Sequence, residues 1–130
     1  MRYKIASLIL IIAIAGCALG QGSPHSVYGY IENSDGSVPT EECLEFRAYY
    51  LSGSDTLRYP EDSGPGEGAR YQIYEGDGVW QINSNALSPP APEGEEVFIE
   101  FTNTCNGEGG VVSVIIDTTV PSQFQDTVSL

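Results

Sequence analysis

The sequence predicts an all-β fold, an antiparallel β-sandwich of about seven strands preceded by a helical signal peptide. Three observations carry this. Beyond residue 20 the apolar residues alternate with polar ones over short runs, with no helical period of any length. Clusters of Gly, Pro, Asn, Asp and Ser separate these runs at the close spacing of a sandwich. Finally, the chain opens with the grammar of an export signal. A small closed barrel is the alternative architecture.

The elements follow in order. Arg2 and Lys4 give a positive start, and residues 5–15 form an uncharged apolar stretch too short for a comfortable membrane span. Two cleavage sites then compete. Ile14-Ala15-Gly16-Cys17 resembles the lipobox of bacterial lipoproteins, with Ile14 where leucine is usual; cleavage there makes Cys17 the lipidation candidate. Ala18-Leu19-Gly20 is a small-x-small site that releases a soluble chain near Gln21. The domain reading is therefore 1–20 signal peptide, 21–26 linker and 27–130 sandwich.

The first strand is 27–32, closed by the turn Asn33-Ser-Asp-Gly36. Residues 43–51 alternate, with Leu44, Phe46, Ala48 and Tyr50 on one face and Glu45, Arg47 and Tyr49 on the other. A turn at 52–55 leads to a strand at 56–59, and 60–68 is too rich in Pro, Gly and acid to pair. Strands at 69–74 and 79–83 flank Glu75-Gly-Asp-Gly78, read as a hairpin through its Asp-Gly. After the Pro-rich loop 88–92, residues 96–103 place Val97, Ile99 and Phe101 inward. The turn 106–110 gives way to the most apolar strand, 111–117, and Phe124, Val128 and Leu130 mark a final one.

Composition limits the chemistry. All 18 acids follow residue 20, against Arg47, Arg58 and Arg70, so the mature charge is 3 − 18 = −15. Such a surface repels nucleic acid and anionic lipid, leaving a lipid anchor as the expected route to a membrane. Without a mature lysine there is no Schiff-base nucleophile and no Lys–Asn crosslink. The single histidine, His25, falls in the linker, so a Ser-His-Asp or Cys-His arrangement has no base and the expectation is no enzyme. Cys43 and Cys105, with 61 residues between them in an exported chain, are expected to form a disulfide.

Three constellations remain. Trp80 shares a face with Ile82 and reads as core, against a sugar-stacking platform as the functional alternative. Tyr28 and Tyr30 lie opposite Val27 and Ile31, and Tyr49 lies opposite its own strand's apolar face. These three tyrosines are the candidate binding surface for a glycan or a protein. Acid clusters at 33–35, 41–42, 61–62, 75–77 and 93–96 suit solvated turns, with calcium as the one cation they would take; none has an EF-hand pattern, and no other cofactor is expected.

Val27-Tyr-Gly-Tyr-Ile-Glu-Asn-Ser-Asp-Gly-Ser-Val-Pro39, leading to Leu44-Glu-Phe-Arg-Ala-Tyr-Tyr50, resembles the first hairpin of carboxypeptidase-regulatory-like, transthyretin-like domains. The strands around Trp80 and at 94–101 suit the same frame. That resemblance implies a seven-stranded Ig-like sandwich, generally non-catalytic, with a structural, spacer or binding role. The functional expectation is an exported structural, adhesive or interaction module of a bacterial envelope, either a cell-surface lipoprotein or a periplasmic or secreted protein. Its partner would be an envelope or extracellular protein, or further copies of itself. The alternative is a ligand-binding module for glycan or calcium.

Overall fold

Alternation in two long strands builds the core. In a computed structural model that describes residues 25–53 and 56–130, Leu44, Phe46 and Ala48 point inward from one strand and Val97, Ile99 and Phe101 from its partner. Antiparallel register sets Phe46 against Phe101 and Ala48 against Ile99. The opposite sheet contributes Val27, Ile31, Trp80 and Ile82 to the same cluster. Trp80 is fully buried and meets Phe101 edge-on with ring centroids 5.3 Å apart, so it is a core residue. The signal peptide and Cys17 lie outside the described residues.

Eight strands form the sandwich: β1 Ser26–Glu32, β2 Leu44–Tyr49, β3 Leu57–Tyr59, β4 Ala69–Tyr74, β5 Asp77–Asn83, β6 Glu96–Asn103, β7 Gly109–Ile115 and β8 Ser122–Ser129. Sheet I has the order β4-β5-β1-β8 and sheet II the order β3-β2-β6-β7. A 3-10 turn, Ser84–Ala86, follows β5.

Sheet I departs from a purely antiparallel pattern, because β1 and β8 pair in parallel. The register slips between Gly29 and Ile31, and this irregularity divides the side chains of β8. Phe124 lies on the outer surface while Val128, four residues on, enters the core. A regular strand would put both on one face. Gly29 permits the close approach: a Cβ there would stand 2.3 Å from the Gln125 carbonyl oxygen and 3.1 Å from the Trp80 ring.

The β4–β5 hairpin also differs from expectation. Tyr74 pairs with Asp77 and Ile73 with Gly78, so the two-residue loop is Glu75-Gly76, one step before the Asp-Gly pair. Both loop residues have positive φ, 50° and 83°, as a type I′ turn requires. Gly78 is instead a strand residue, and a Cβ there would meet the Tyr71 hydroxyl at 2.5 Å. The linker is corrected at its end too: Ser26 opens β1, and His25 is buried.

One end of the sandwich is locked by side chains. Cys43 and Cys105 form a disulfide with a Cα–Cα distance of 5.4 Å. Beside it, the Asn103 amide donates to Asn33 at 2.8 Å, and Ser34 donates to Glu108 through both its backbone N–H and its hydroxyl. The Tyr71 hydroxyl donates to the Pro39 carbonyl at 2.6 Å. Together these tie the loop after β1 to the β6–β7 loop and to β4.

Candidate interaction face

The two sheets give the candidate tyrosines different fates. Tyr28 and Tyr30 project from the outer surface of sheet I, as alternation requires, yet they are 1% and 7% exposed. Phe124 packs on both, with ring centroids at 5.4 and 5.8 Å, and Val79 and Tyr74 complete the cluster. Burial raises the pKa of both phenols, and for Tyr30 the nearby Asp77 and Glu75 charges add to it. These two residues are therefore a second apolar cluster and not an exposed patch. Tyr49 stands on the outer surface of sheet II, so the three tyrosines do not form one surface.

Around Tyr49 the face is organised by cross-strand register. Tyr49 pairs with Phe98, and their rings stack at 5.7 Å. Arg47 pairs with Glu100; its Nε donates to Glu100 Oε1 at 2.8 Å, and a terminal guanidinium nitrogen lies 2.7 Å from the same oxygen as an ion pair. The same guanidinium lies 5.4 Å above the Tyr49 ring. Tyr49 donates its hydroxyl to Glu100 Oε2 at 2.5 Å. The phenol donation, then the arginine, holds the Glu100 carboxyl below the ordinary range, and the same bond raises the Tyr49 phenol.

This network leaves a face with paired charge and exposed apolar edges. Glu100 stands opposite Val111 on β7, and Glu96 opposite Ile115. Val111 is 62% exposed and Ile115 55%. Arg58 lies directly across from Arg47 on β3. Between them is a shallow depression of about 170 Å³, lined by Glu45, Arg47, Arg58, Tyr59, Glu61 and Glu100.

Sequence reasoning missed one pairing that bears on catalysis. His25 Nδ1 lies 2.9 Å from the Ser84 hydroxyl, so the histidine does have a serine partner. Ser84 is fully buried and also donates to the His25 carbonyl at 3.3 Å. An attacking hydroxyl needs access to a substrate carbonyl, which a sealed serine lacks. The pair fastens the entry to β1 onto the 3-10 turn after β5.

Many of the loop acids bond to the chain itself. Asp35 accepts from the Ser37 amide, Asp62 from Arg58, Glu67 from Gly64, Glu93 from Thr118, Glu108 from Ser34 and Asp117 from Thr119. The bonds of Asp35, Asp62, Glu67 and Asp117 are local turn clamps of the kind short polar and acidic side chains supply, while those of Glu93 and Glu108 tie together loops distant in sequence. Among the described residues no three His, Cys, Asp or Glu side chains gather as a metal-binding group. No protein-family model matches the chain, and no curated protein matches it either.

Proposed function

We propose that this chain is an exported, non-catalytic β-sandwich with a structural, adhesive or protein-interaction role at a bacterial envelope, built on a transthyretin-like plan. It is carried there by its leader and either retained through lipid on Cys17 or released after cleavage near Gln21. The observation that carries the reading is the outer face of sheet II. There Tyr49, Phe98, Val111 and Ile115 sit on central and edge strands of a disulfide-stapled scaffold. A rigid sheet presenting aromatic and apolar side chains, with Arg47 and Glu100 already paired, suits protein contact. The disulfide supports an oxidising compartment.

Glycan binding would draw on the same tyrosine, but Arg47 lies over that ring and Phe98 stacks with it, so a sugar would compete with both. A photo-crosslinking residue installed at Phe98 in the native host tests the reading, with Gln72 on sheet I as the comparison site. Protein adducts that form at 98 and not at 72 support an interaction face on sheet II. Adducts absent from both, or equal at both, remove it.

A further inference from the structure

The sandwich has four edge strands, and three carry recognised protection against pairing with another chain. β3 is three residues long and runs into Pro60. β4 carries Arg70, and β8 carries Asp126 together with the register slip against β1. Short length, charge and irregularity are the usual ways of blunting an edge. β7, Gly109-Gly-Val-Val-Ser-Val-Ile115, has none of them, and its register with β6 runs unbroken from Thr102–Gly109 to Glu96–Ile115. In a chain of net charge −13 this is an uncharged, seven-residue edge.

Backbone direction narrows what fits there. The Ile116 amide donates to the Glu95 carbonyl and its carbonyl accepts from the Gly94 amide, so Ile116 faces the β6 side. Because backbone groups alternate along an antiparallel strand, Val114, Val112 and Gly110 face β6 as well. Gly109, Val111, Ser113 and Ile115 therefore turn both N–H and C=O away from the sheet. The Ile115 carbonyl is already taken by the Gln123 side chain at 2.9 Å. Among the described residues, none of the backbone bonds outside the ladders reaches Gly109, Val111 or Ser113.

We infer that β7 pairs antiparallel with β7 of a second copy of this chain, about a two-fold axis through Val111. This deepens the interaction reading above and rests on it. Three open residues centred on Val111 are self-complementary: Val111 meets Val111, and Gly109 meets Ser113 on either side. Each outward N–H and C=O then finds its counterpart, and the occupied Ile115 carbonyl lies just beyond the paired segment. Such a contact is isologous and closes as a dimer. It joins the two outer faces of sheet II into one continuous surface.

The charge of the chain gives the contact a distinctive salt response. Two copies repel at long range while meeting through neutral strands, so added salt screens the repulsion and strengthens association. A basic partner on this acidic protein would respond in the opposite sense.

The test is sedimentation of the processed, exported chain from micromolar to millimolar concentration, in density-matched detergent if it is lipidated, with amide exchange on the same samples. The expected result is a dimer that tightens with salt, with slower exchange at the Val111 and Ser113 amides as it forms. Val111→Lys places like charges directly across the axis and weakens the dimer at least about tenfold. Its own Glu100 neighbour makes the lysine acceptable to the fold, which an unchanged melting temperature verifies. Val111→Thr and, on the β4 edge, Gln72→Lys leave association unchanged.

A monomer at every concentration and salt, or a Val111→Lys protein that folds and dimerises like the parent, overturns the inference. So does a dimer that Gln72→Lys weakens equally. A monomer that still gives heterologous protein adducts from Phe98 overturns the paired edge alone and leaves the interaction reading standing.

Discussion

Replacing Cys43 and Cys105 together with alanine opens a covalent loop spanning a sequence separation of 62. In the chain-entropy treatment that loop removes about 14 cal/mol/K from the unfolded state, so the disulfide contributes about 4 kcal/mol at 25 °C. Unfolding a domain of about 105 residues carries an entropy near 0.22 kcal/mol/K, so the midpoint should fall by roughly 20 °C. The folded state has little need of the bond. Both the amide and the hydroxyl of Thr104 donate to the Cys43 carbonyl, at 2.8 and 3.0 Å, and Leu44 stays in register with Asn103. The Cys105 amide is held separately by Asn103 Oδ1 at 2.9 Å.

The double variant should therefore keep its native spectrum and Thr104 amide protection while its urea midpoint drops. Urea titration gives the free energy, and native-state amide exchange reads the local geometry. A loss below about 1 kcal/mol would contradict the restraint on the unfolded chain. Lost Thr104 protection in an otherwise folded protein would show instead that the bond shapes the native junction.

Other consequences can be measured in the same way. Gly29→Ala drives a methyl into the Gln125 carbonyl, so it should cost about 2 kcal/mol or more and loosen β8, read by urea unfolding and by amide exchange along that strand. Trp80→Ala should cost about 3–5 kcal/mol. Trp80→Phe should cost clearly less, because it also removes a buried indole N–H that has no hydrogen-bond partner among the described residues; equal losses would contradict this. Asp35, Glu108 and Asp117 have carboxyl pKa values lowered first by side-chain hydroxyl bonds and then by backbone amides. Their folded values lie below their unfolded ones, so this stabilisation is present above the unfolded values and is lost as pH falls through the folded ones. Glu108→Gln should accordingly lose less stability than the parent between pH 5 and pH 2, roughly the window in which carboxylates titrate, in urea titrations at stepped pH. Intact mass of the protein from its host should rise by two daltons on reduction, with a chain starting at a lipidated Cys17 or near Gln21; an unprocessed chain with free thiols would remove the export reading.

Much of the sandwich is legible because alternation is a local property. Leu44, Phe46 and Ala48, or Val97, Ile99 and Phe101, declare their buried face without reference to any partner. The inward Trp80 is legible for the same reason. What sequence reasoning misses is set by distant partners. Alternation correctly turns Tyr28 and Tyr30 away from the main core, but their cover comes from Phe124, nearly a hundred residues later and across a slipped register. His25 sits in a short polar stretch that resembles a tether until Ser84, 59 residues on, supplies its bond. Asp77-Gly78 satisfies the usual hairpin preference, yet strand pairing places the turn one step earlier at Glu75, whose φ of 50° is uncommon for its type. The candidate face is only partly legible for the same reason: Tyr49 is legible by itself, while its stack with Phe98 and the open edge of β7 depend on which strands are neighbours.

The parallel pairing of β1 with β8 has a mechanical meaning. Ser26 stands beside Ser122 at one end of the pair, and Glu32 beside Ser129 at the other. A tensile load applied between Ser26 and Ser129 pulls the two strands in opposite directions along their shared axis. The hydrogen bonds joining them are then sheared together, where a hairpin pulled from its open end would lose them one at a time. Tension on this sandwich would be borne collectively by its first and last strands, an arrangement suited to holding a fixed attachment apart from whatever pulls on the far end.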